Sequence, residues 1–429
     1  MSSKVLPVRA NRSRQLIPKE DVGYLLVSIL LQLILGLFFG HAYDIKIFMA
    51  TGYLVATGQN PYILPDLRAV FHNPAFYGLT SIGYPPPWSL ILGLLYLISY
   101  APTQGFLLYN LAIKLPIIVA NICLAYLVKH ILLEQKVSAG MARKAWIFLV
   151  LNPFLFYFTT AWGQSDSLVA LITLAALVLL TKQRLIGSSI LLALAISLKP
   201  TPVPVVLAVI VYLWGSPWNR IARYLITITV STLILCVLPF FILHWSASPI
   251  LNGWNTQFTV SGGMALTTLY ELTAGTYALP GNWWLLGVLW LPAILIGALF
   301  LKRGEHGLID LLKNSLILIL IFFLTRTWLS EQNLALILPM VLILVYLGEL
   351  PGLALSAVWI LPLIFTVFND SPPQLLFPIL PDLMTRLLQW TDTFRATRLF
   401  ARMLAVLPWQ LAGWWMVMCN LRSRSAKPV

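Results

Sequence analysis

The stretch VGYLLVSILLQLILGLFFG, Val22 to Gly40, decides the fold class. It holds no charged side chain, and as an α-helix at about 1.5 Å per residue it would reach nearly across a hydrocarbon layer about 30 Å thick. A basic segment with Lys4, Arg9, Arg12, Arg14 and Lys19 precedes it, and His41-Ala42-Tyr43-Asp44 follows where a signal peptide would have small residues for cleavage. The segment is therefore expected to be a retained membrane helix. Working outward, similar runs recur to the end of the chain. With 59% hydrophobic and 10% charged residues, the 429-residue chain is far from the roughly 25% charged of a soluble domain. It is read as an all-α, polytopic integral membrane protein of about 11–13 transmembrane helices.

Further apolar runs are Gly105 to Val128, Ala145 to Ala161, Asp166 to Thr181, Leu185 to Leu198, Pro202 to Trp214, Tyr224 to His244, Trp283 to Leu301, Asn314 to Leu329, Leu334 to Gly348, Gly352 to Phe368 and Met403 to Asn420. Prolines near Lys199 and at Pro239 predict shortened or kinked helices. A shorter run, Pro86 to Ser99, reaches only about 21 Å as a helix and leaves its crossing open. Cys123, Cys236 and Cys419 all fall inside apolar runs, where a thiol acts as a small hydrophobe, so no disulfide, Cys-based metal site or redox role is expected.

The net charge of +14 reads as membrane orientation rather than nucleic-acid binding. If Pro86 to Ser99 does not cross, the loops at Lys129–Lys144, Lys182–Arg184, Arg220–Arg223, Lys302–Lys313 and Arg422–Lys427 share one face with the N-terminus. That face then carries nineteen of the 28 Lys and Arg, which makes it cytoplasmic by the positive-inside rule. The expected organisation is a cytoplasmic basic segment at 1–21, one transmembrane domain at 22–420 and a cytoplasmic basic tail at 421–429. Long segments at 41–85 and 245–282 lie on the extracytoplasmic side, and loops of such length are usually functional or carry surface helices.

Charges near hydrocarbon are costly and so need a partner or a job. On the outer side the acids are Asp44, Asp66, Asp166, Glu271, Glu331, Asp370, Asp382 and Asp392. Asp44 follows the first span, Asp166 opens another, and Glu331 sits between two closely spaced runs. Lys199 and Arg326 lie at comparable depth. Two readings stand: a pocket with a carboxylate base and cationic clamps for an anion, or interfacial residues that snorkel to water or pair to join helices. The local contexts are Tyr43-Asp44-Ile45-Lys46, Gly58-Gln59-Asn60-Pro61-Tyr62, Tyr84-Pro85-Pro86-Pro87-Trp88, Asn152-Pro153, Trp162-Gly163-Gln164-Ser165-Asp166 and Leu198-Lys199-Pro200-Thr201-Pro202. Each alone is a common turn or helix start, but their order on one side is a stronger signal.

That order resembles the GT-C superfamily of membrane glycosyltransferases, and in particular the bacterial polyprenol-phosphate-mannose-dependent α-mannosyltransferase branch. The resemblance covers residues 22 to about 215 and rests on Asp44, Gly58 to Tyr62, Tyr84 to Pro87, Gly163-Gln164 and Lys199 to Pro202. Ser330-Glu331-Gln332-Asn333 resembles a short outer loop that carries a polar residue near the donor. The resemblance implies an inverting transfer of a sugar, mannose by analogy, from a polyprenyl monophosphate carrier to a hydroxyl on the extracytoplasmic side. It implies Asp44 as catalytic base and Lys199 and Arg326 as donor-phosphate ligands. Tyr62, Tyr84, Trp162, Gln164, Asp166 and Glu331 would contact substrate, although aromatic residues at this depth are more often interface anchors.

The partners implied are the lipid-linked donor, a glycolipid, glycan or protein acceptor, and membrane lipids, with no nucleic acid. Some relatives carry paired acids in the first outer loop or use a divalent metal. Here Asp44-Ile45-Lys46 offers one acid, and hard divalent cations want several oxygen ligands. No cofactor is expected, the alternative being a metal between Asp44 and Asp166. A secondary transporter is the main rival function, but no matched pair of broken helices marks two halves. A lipid-linked oligosaccharide ligase, polymerase or flippase, or a structural subunit, is a further alternative.

Overall fold

The computed structural model describes residues 19–256 and 258–422. The basic residues Lys4, Arg9, Arg12 and Arg14 and most of the basic tail lie outside the described residues. The chain is helical nearly throughout: α1 (Lys19–Phe38), α2 (Ala42–Ala56), α3 (Pro86–Ile98), α4 (Phe106–Glu134), α5 (Ala139–Val150), α6 (Asp166–Thr181), α7 (Leu185–Leu198), α8 (Val203–Tyr212), α9 (Trp218–Cys236), α10 (Trp290–Leu299), α11 (Leu308–Thr325), α12 (Leu338–Tyr346), α13 (Gly352–Val367), α14 (Pro381–Asp392) and α15 (Arg395–Arg422). The only β-structure among the described residues is a two-residue parallel pairing of Gly262–Gly263 with Trp328–Leu329 and two isolated bridges.

Seven helical stretches among the described residues are long and apolar enough to cross a membrane, and five shorter apolar helices accompany them. Together they coincide with the apolar runs of the sequence. The exposed faces confirm the solvent: Leu26 and Leu30 on α1, Ile226 and Leu233 on α9, and Leu404 and Leu411 on α15 lie bare, a pattern that water would penalise and lipid does not. The centre of the bundle is α11, with 83% of its span buried against 6% for Trp218–Ile242 at the periphery. The protein is an all-α, multi-pass membrane protein.

α1 and α4 run antiparallel over their whole length. At one end Asp21 pairs with Lys129 at 3.0 Å and Arg143 at 2.5 Å. At mid-height Asn121 donates to Gln32 at 2.7 Å, and at the far end Asn110 donates to the carbonyls of Gly36, Leu37 and Phe39. Because α1 ends where α4 begins, the chain between them returns to the same end, and α3 adds no net crossing. α3 packs against α2 instead, and its start after Tyr84 follows from Pro86 and Pro87 in its first turn.

Ion pairs sort the loops into two ends. At one end, besides the Asp21 cluster, Glu134 meets Lys182 (2.8 Å), Arg220 meets Glu305 (2.6 Å), Lys302 meets Asp310 (2.8 Å) and Lys313 meets Glu349 (2.5 Å). These are the loops grouped on one face by the charge pattern of the sequence. At the other end lie Asp44, Asp166, Lys199 and Glu331. Two of the long connecting segments meet as well, where the Asn60 side chain donates to the Ser246 carbonyl at 3.0 Å. Several expected spans are interrupted: the helix through Ala145–Ala161 breaks at Asn152-Pro153, where the Asn152 side chain caps the N–H groups of Phe154 and Leu155, and the Trp283–Leu301 helix breaks near Leu289.

Candidate functional site

The site is built where three chain breaks meet at the second end. The first is the exit of α1, where Gly40 bridges to Leu376 and His41 stands at the N-cap of α2, which places Asp44 in the first turn of that helix. The second follows a π-helical turn, Phe156–Ala161; such turns displace a helix by one residue and often mark functional sites. It delivers Trp162, then Gly163 at φ +102°, then Gln164, and Asp166 opens α6 with its carboxylate at the positive end of the helix. The third is the end of α7, where Pro200 forces Lys199 out of the helical region to φ −157°, ψ 128°.

These breaks bring the polar residues together. The indole N–H of Trp162 donates to Asp44 Oδ2 at 2.6 Å, and His41 Nδ1 lies 3.3 Å from the same oxygen. The rings of His41 and Trp162 stack at 3.9 Å and 6°. Asp44 thus keeps one oxygen engaged and 21% of its side chain open. Burial pushes the Asp44 carboxyl up, but the His41 contact, the Trp162 N–H and the charge of Lys199 outweigh it and hold the carboxyl below the usual carboxylate range. Lys199 Nζ donates to both oxygens of Asp166, at 2.9 and 2.8 Å, and lies 5.4 Å from the Tyr84 ring centre.

The Tyr84 hydroxyl donates to Gln164 Oε1 at 2.9 Å. Burial, followed by the negative charges of Asp44 and Asp166, raises that phenol well above its usual value, so it stays a donor. Gln164 is fully buried and its Nε2 has no hydrogen-bond partner among the described residues. A buried amide N–H without a partner costs about 1–3 kcal/mol, which a ligand oxygen would relieve.

The other expected residues sit further out. Tyr62 is buried between Phe240 and Trp245 and reaches the site through its hydroxyl, which donates to the Tyr84 carbonyl at 3.0 Å. Glu331 is 5% exposed and accepts from Asn369 at 3.4 Å. Arg326 does not pair with Glu331; its guanidinium lies 4.8 Å over the ring of Phe322 on its own helix, and it joins none of the hydrogen bonds around Asp44 or Lys199. Of the remaining acids, Asp66 pairs locally with Arg68, while Glu271 meets Arg402 at 2.8 Å and Asp370 meets Arg398.

Two contributors have weak sequence signals. His41 shows only as a three-residue spacing before Asp44, and Lys114 only as a charge inside an apolar run. Among the described residues no three His, Cys, Asp or Glu converge to hold a metal ion. Asp166 faces Lys199 with both oxygens.

Glycine is favoured at position 163 on two counts. Its φ of +102° is rarely adopted by other residues, and a Cβ there would stand 3.2 Å from Lys114 Cε. Gly163→Ala is expected to destabilise by about 1–3 kcal/mol, read as a lower melting temperature in detergent; an unchanged melt would show that the turn accommodates a side chain.

Among curated proteins the chain has no match. The stretch that carries Trp162, Gly163, Gln164, Asp166 and Lys199 does have one, while Asp44 and Tyr84 lie outside it. Residues 159–258 match the family Mannosyltransferase (PIG-M), so this stretch of the chain is similar to mannosyltransferases of the GT-C superfamily.

Proposed function

We propose that the protein is an inverting mannosyltransferase that takes its sugar from a polyprenyl monophosphate carrier and gives it to an acceptor hydroxyl on the extracytoplasmic side. The observation that carries this reading is the partly open carboxylate of Asp44, held by the Trp162 N–H and the His41 ring, beside a segment similar to mannosyltransferases. Asp44 removes the proton of the acceptor hydroxyl as its oxygen bonds to the anomeric carbon. The bond from that carbon to the carrier phosphate breaks, and its electron pair leaves on the phosphate oxygen. Attack opposite the leaving group inverts the centre.

Lys199 stabilises the departing phosphate, as preorganised cations do where charge develops. Arg326, which pairs with no carboxylate among the described contacts, is the second candidate for that role. Gln164 Nε2 and the Tyr84 hydroxyl orient sugar hydroxyls, with Trp162 closing the pocket wall. Glu331 borders the same space, and Asp166 holds Lys199 in place until substrate arrives.

The test is transfer by purified protein from radiolabelled polyprenyl-phosphate sugars to a membrane extract. Label from the mannosyl donor should appear in a lipid, glycan or protein product, and its anomeric configuration should be opposite to the donor's. Label from a sugar nucleotide alone, or retention of configuration, would overturn the reading. Orientation is tested separately. Tyr77 is 65% exposed in the long 40–85 segment, so Tyr77→Cys, with the native cysteines replaced, should react with an impermeant thiol reagent on intact cells. Reaction only after permeabilisation would put Asp44 on the cytoplasmic side.

A further inference from the structure

We infer that Lys114, which takes no part in the proposed chemistry, is the positioning residue that locks the Asp44 and Trp162 segments together. The inference rests on the reading of Asp44 and Trp162 as active-site residues. Lys114 lies within α4 with no exposed surface and no carboxylate partner among the described residues. A lone ammonium in a membrane helix is expensive, and such residues are seldom retained without a task.

The ammonium has three N–H donors, and all three are used. They go to the carbonyls of Gly36 at 3.2 Å, of Phe39, and of Ala161 at 3.3 Å. Gly36 lies in the last turn of α1 and Phe39 directly follows that helix, where the helix dipole presents negative charge and the last carbonyls lack helical partners. Ala161 ends the π-helical turn. Phe39 stands two residues before His41, and Ala161 directly precedes Trp162.

A helix cap needs only the first of these segments. Asn110 already caps Gly36, Leu37 and Phe39, which leaves the bond to Ala161 as the distinctive one. That bond ties the segment carrying the base to the segment carrying its indole donor, beside the contact of His41 N–H with the Trp162 carbonyl at 3.4 Å. Gly163 fits the same knot, because it lets the turn pass against the Lys114 stem. Lys114 therefore fixes the distance at which Trp162 and His41 meet Asp44, without touching substrate.

The test is Lys114→Met, which keeps the stem and removes the donors, with Lys129→Met at the opposite end of α4 as a stability control. Hydrogen exchange followed by mass spectrometry should show residues 39–44 and 161–166 losing protection together in Lys114→Met, with residues 129–134 unchanged. In the transfer assay kcat should fall by about 10- to 100-fold, the scale of a small misplacement of reacting groups, while the donor KM stays within about twofold.

Lys129→Met should lower the melting temperature without that split. Faster exchange in only one of the two segments, uniform loss of protection, or an unchanged kcat in folded protein would overturn the inference. If Lys114→Met does not accumulate folded, Lys114→Gln, with two donors on a shorter arm, is measured in the same way and should show the same paired pattern at smaller amplitude. Were the wild type to transfer no sugar, the functional reading would fall, and the exchange pattern would still decide whether Lys114 joins the two segments.

Discussion

Asp44→Asn should reduce mannosyl transfer by about 10²–10⁴-fold, the contribution expected of a positioned general base, while the protein still folds. The substitution is isosteric, and the amide oxygen can still accept the Trp162 N–H that now reaches Oδ2 at 2.6 Å. What disappears is the capacity to take a proton and the negative charge. The pH dependence provides a second check. Because its surroundings hold the Asp44 carboxyl below its ordinary value, the folded enzyme keeps the base ionised through the neutral and mildly acidic range. The acid limb that Asp44 contributes to kcat/KM should lie below about pH 4, and the variant should lack it.

Stability follows the same linkage. A carboxyl with a depressed folded pKa contributes stability above its unfolded pKa and loses it as the pH falls through the folded value. The difference in melting between wild type and Asp44→Asn should therefore shrink below about pH 4. Transfer retained by the variant, or a variant that fails to fold at neutral pH, would remove Asp44 as the base.

Much of this arrangement can be read from the chain because the membrane makes composition do the work of tertiary information. Apolar runs must be helices where no water can satisfy the backbone, and the described helices coincide with them. Charged and proline-bearing breaks between runs fall at one end or the other, so the convergence of Asp44, Gln164, Asp166 and Lys199 follows from the order of spans and their polarity. The break after Leu198 is likewise local, since Pro200 dictates the extended backbone of Lys199.

Other features are tertiary and leave little trace in the sequence. Lys114 looks like a misplaced charge until its three carbonyl partners, from two distant segments, are seen. Arg326 sits at the expected depth, but the direction of its side chain, over Phe322, depends on how α11 packs. The Pro86 helix is too short for length to settle its path, and only the antiparallel match of α1 with α4 shows that the chain returns to the same end. Tyr62 lies within a suggestive turn, yet its ring is committed to Phe240 and Trp245. A turn motif carries no information about such packing.

The second large effect concerns Lys199, whose pairing with Asp166 allows two explanations of its presence. The pair is nearly closed off, with side chains 8% and 1% exposed, so removal of one member strands the other in a low-dielectric site. Lys199→Met should therefore destabilise the protein by about 3 kcal/mol or more and also weaken use of the donor. A pure structural glue predicts that Asp166→Asn combined with Lys199→Met restores both stability and transfer, because no unpaired charge is left.

The phosphate-stabilising role predicts a split outcome. The double variant should melt near the wild type, since replacing both members of a buried pair is often close to neutral. Its transfer rate should stay low, with donor use impaired more than acceptor use, because the leaving phosphate still lacks its cation. Recovery of transfer in the double variant would assign Lys199 to architecture alone. Failure of the double variant to regain stability would show that the ammonium holds more than Asp166, and the Tyr84 ring, 5.4 Å away, is the contact to examine next.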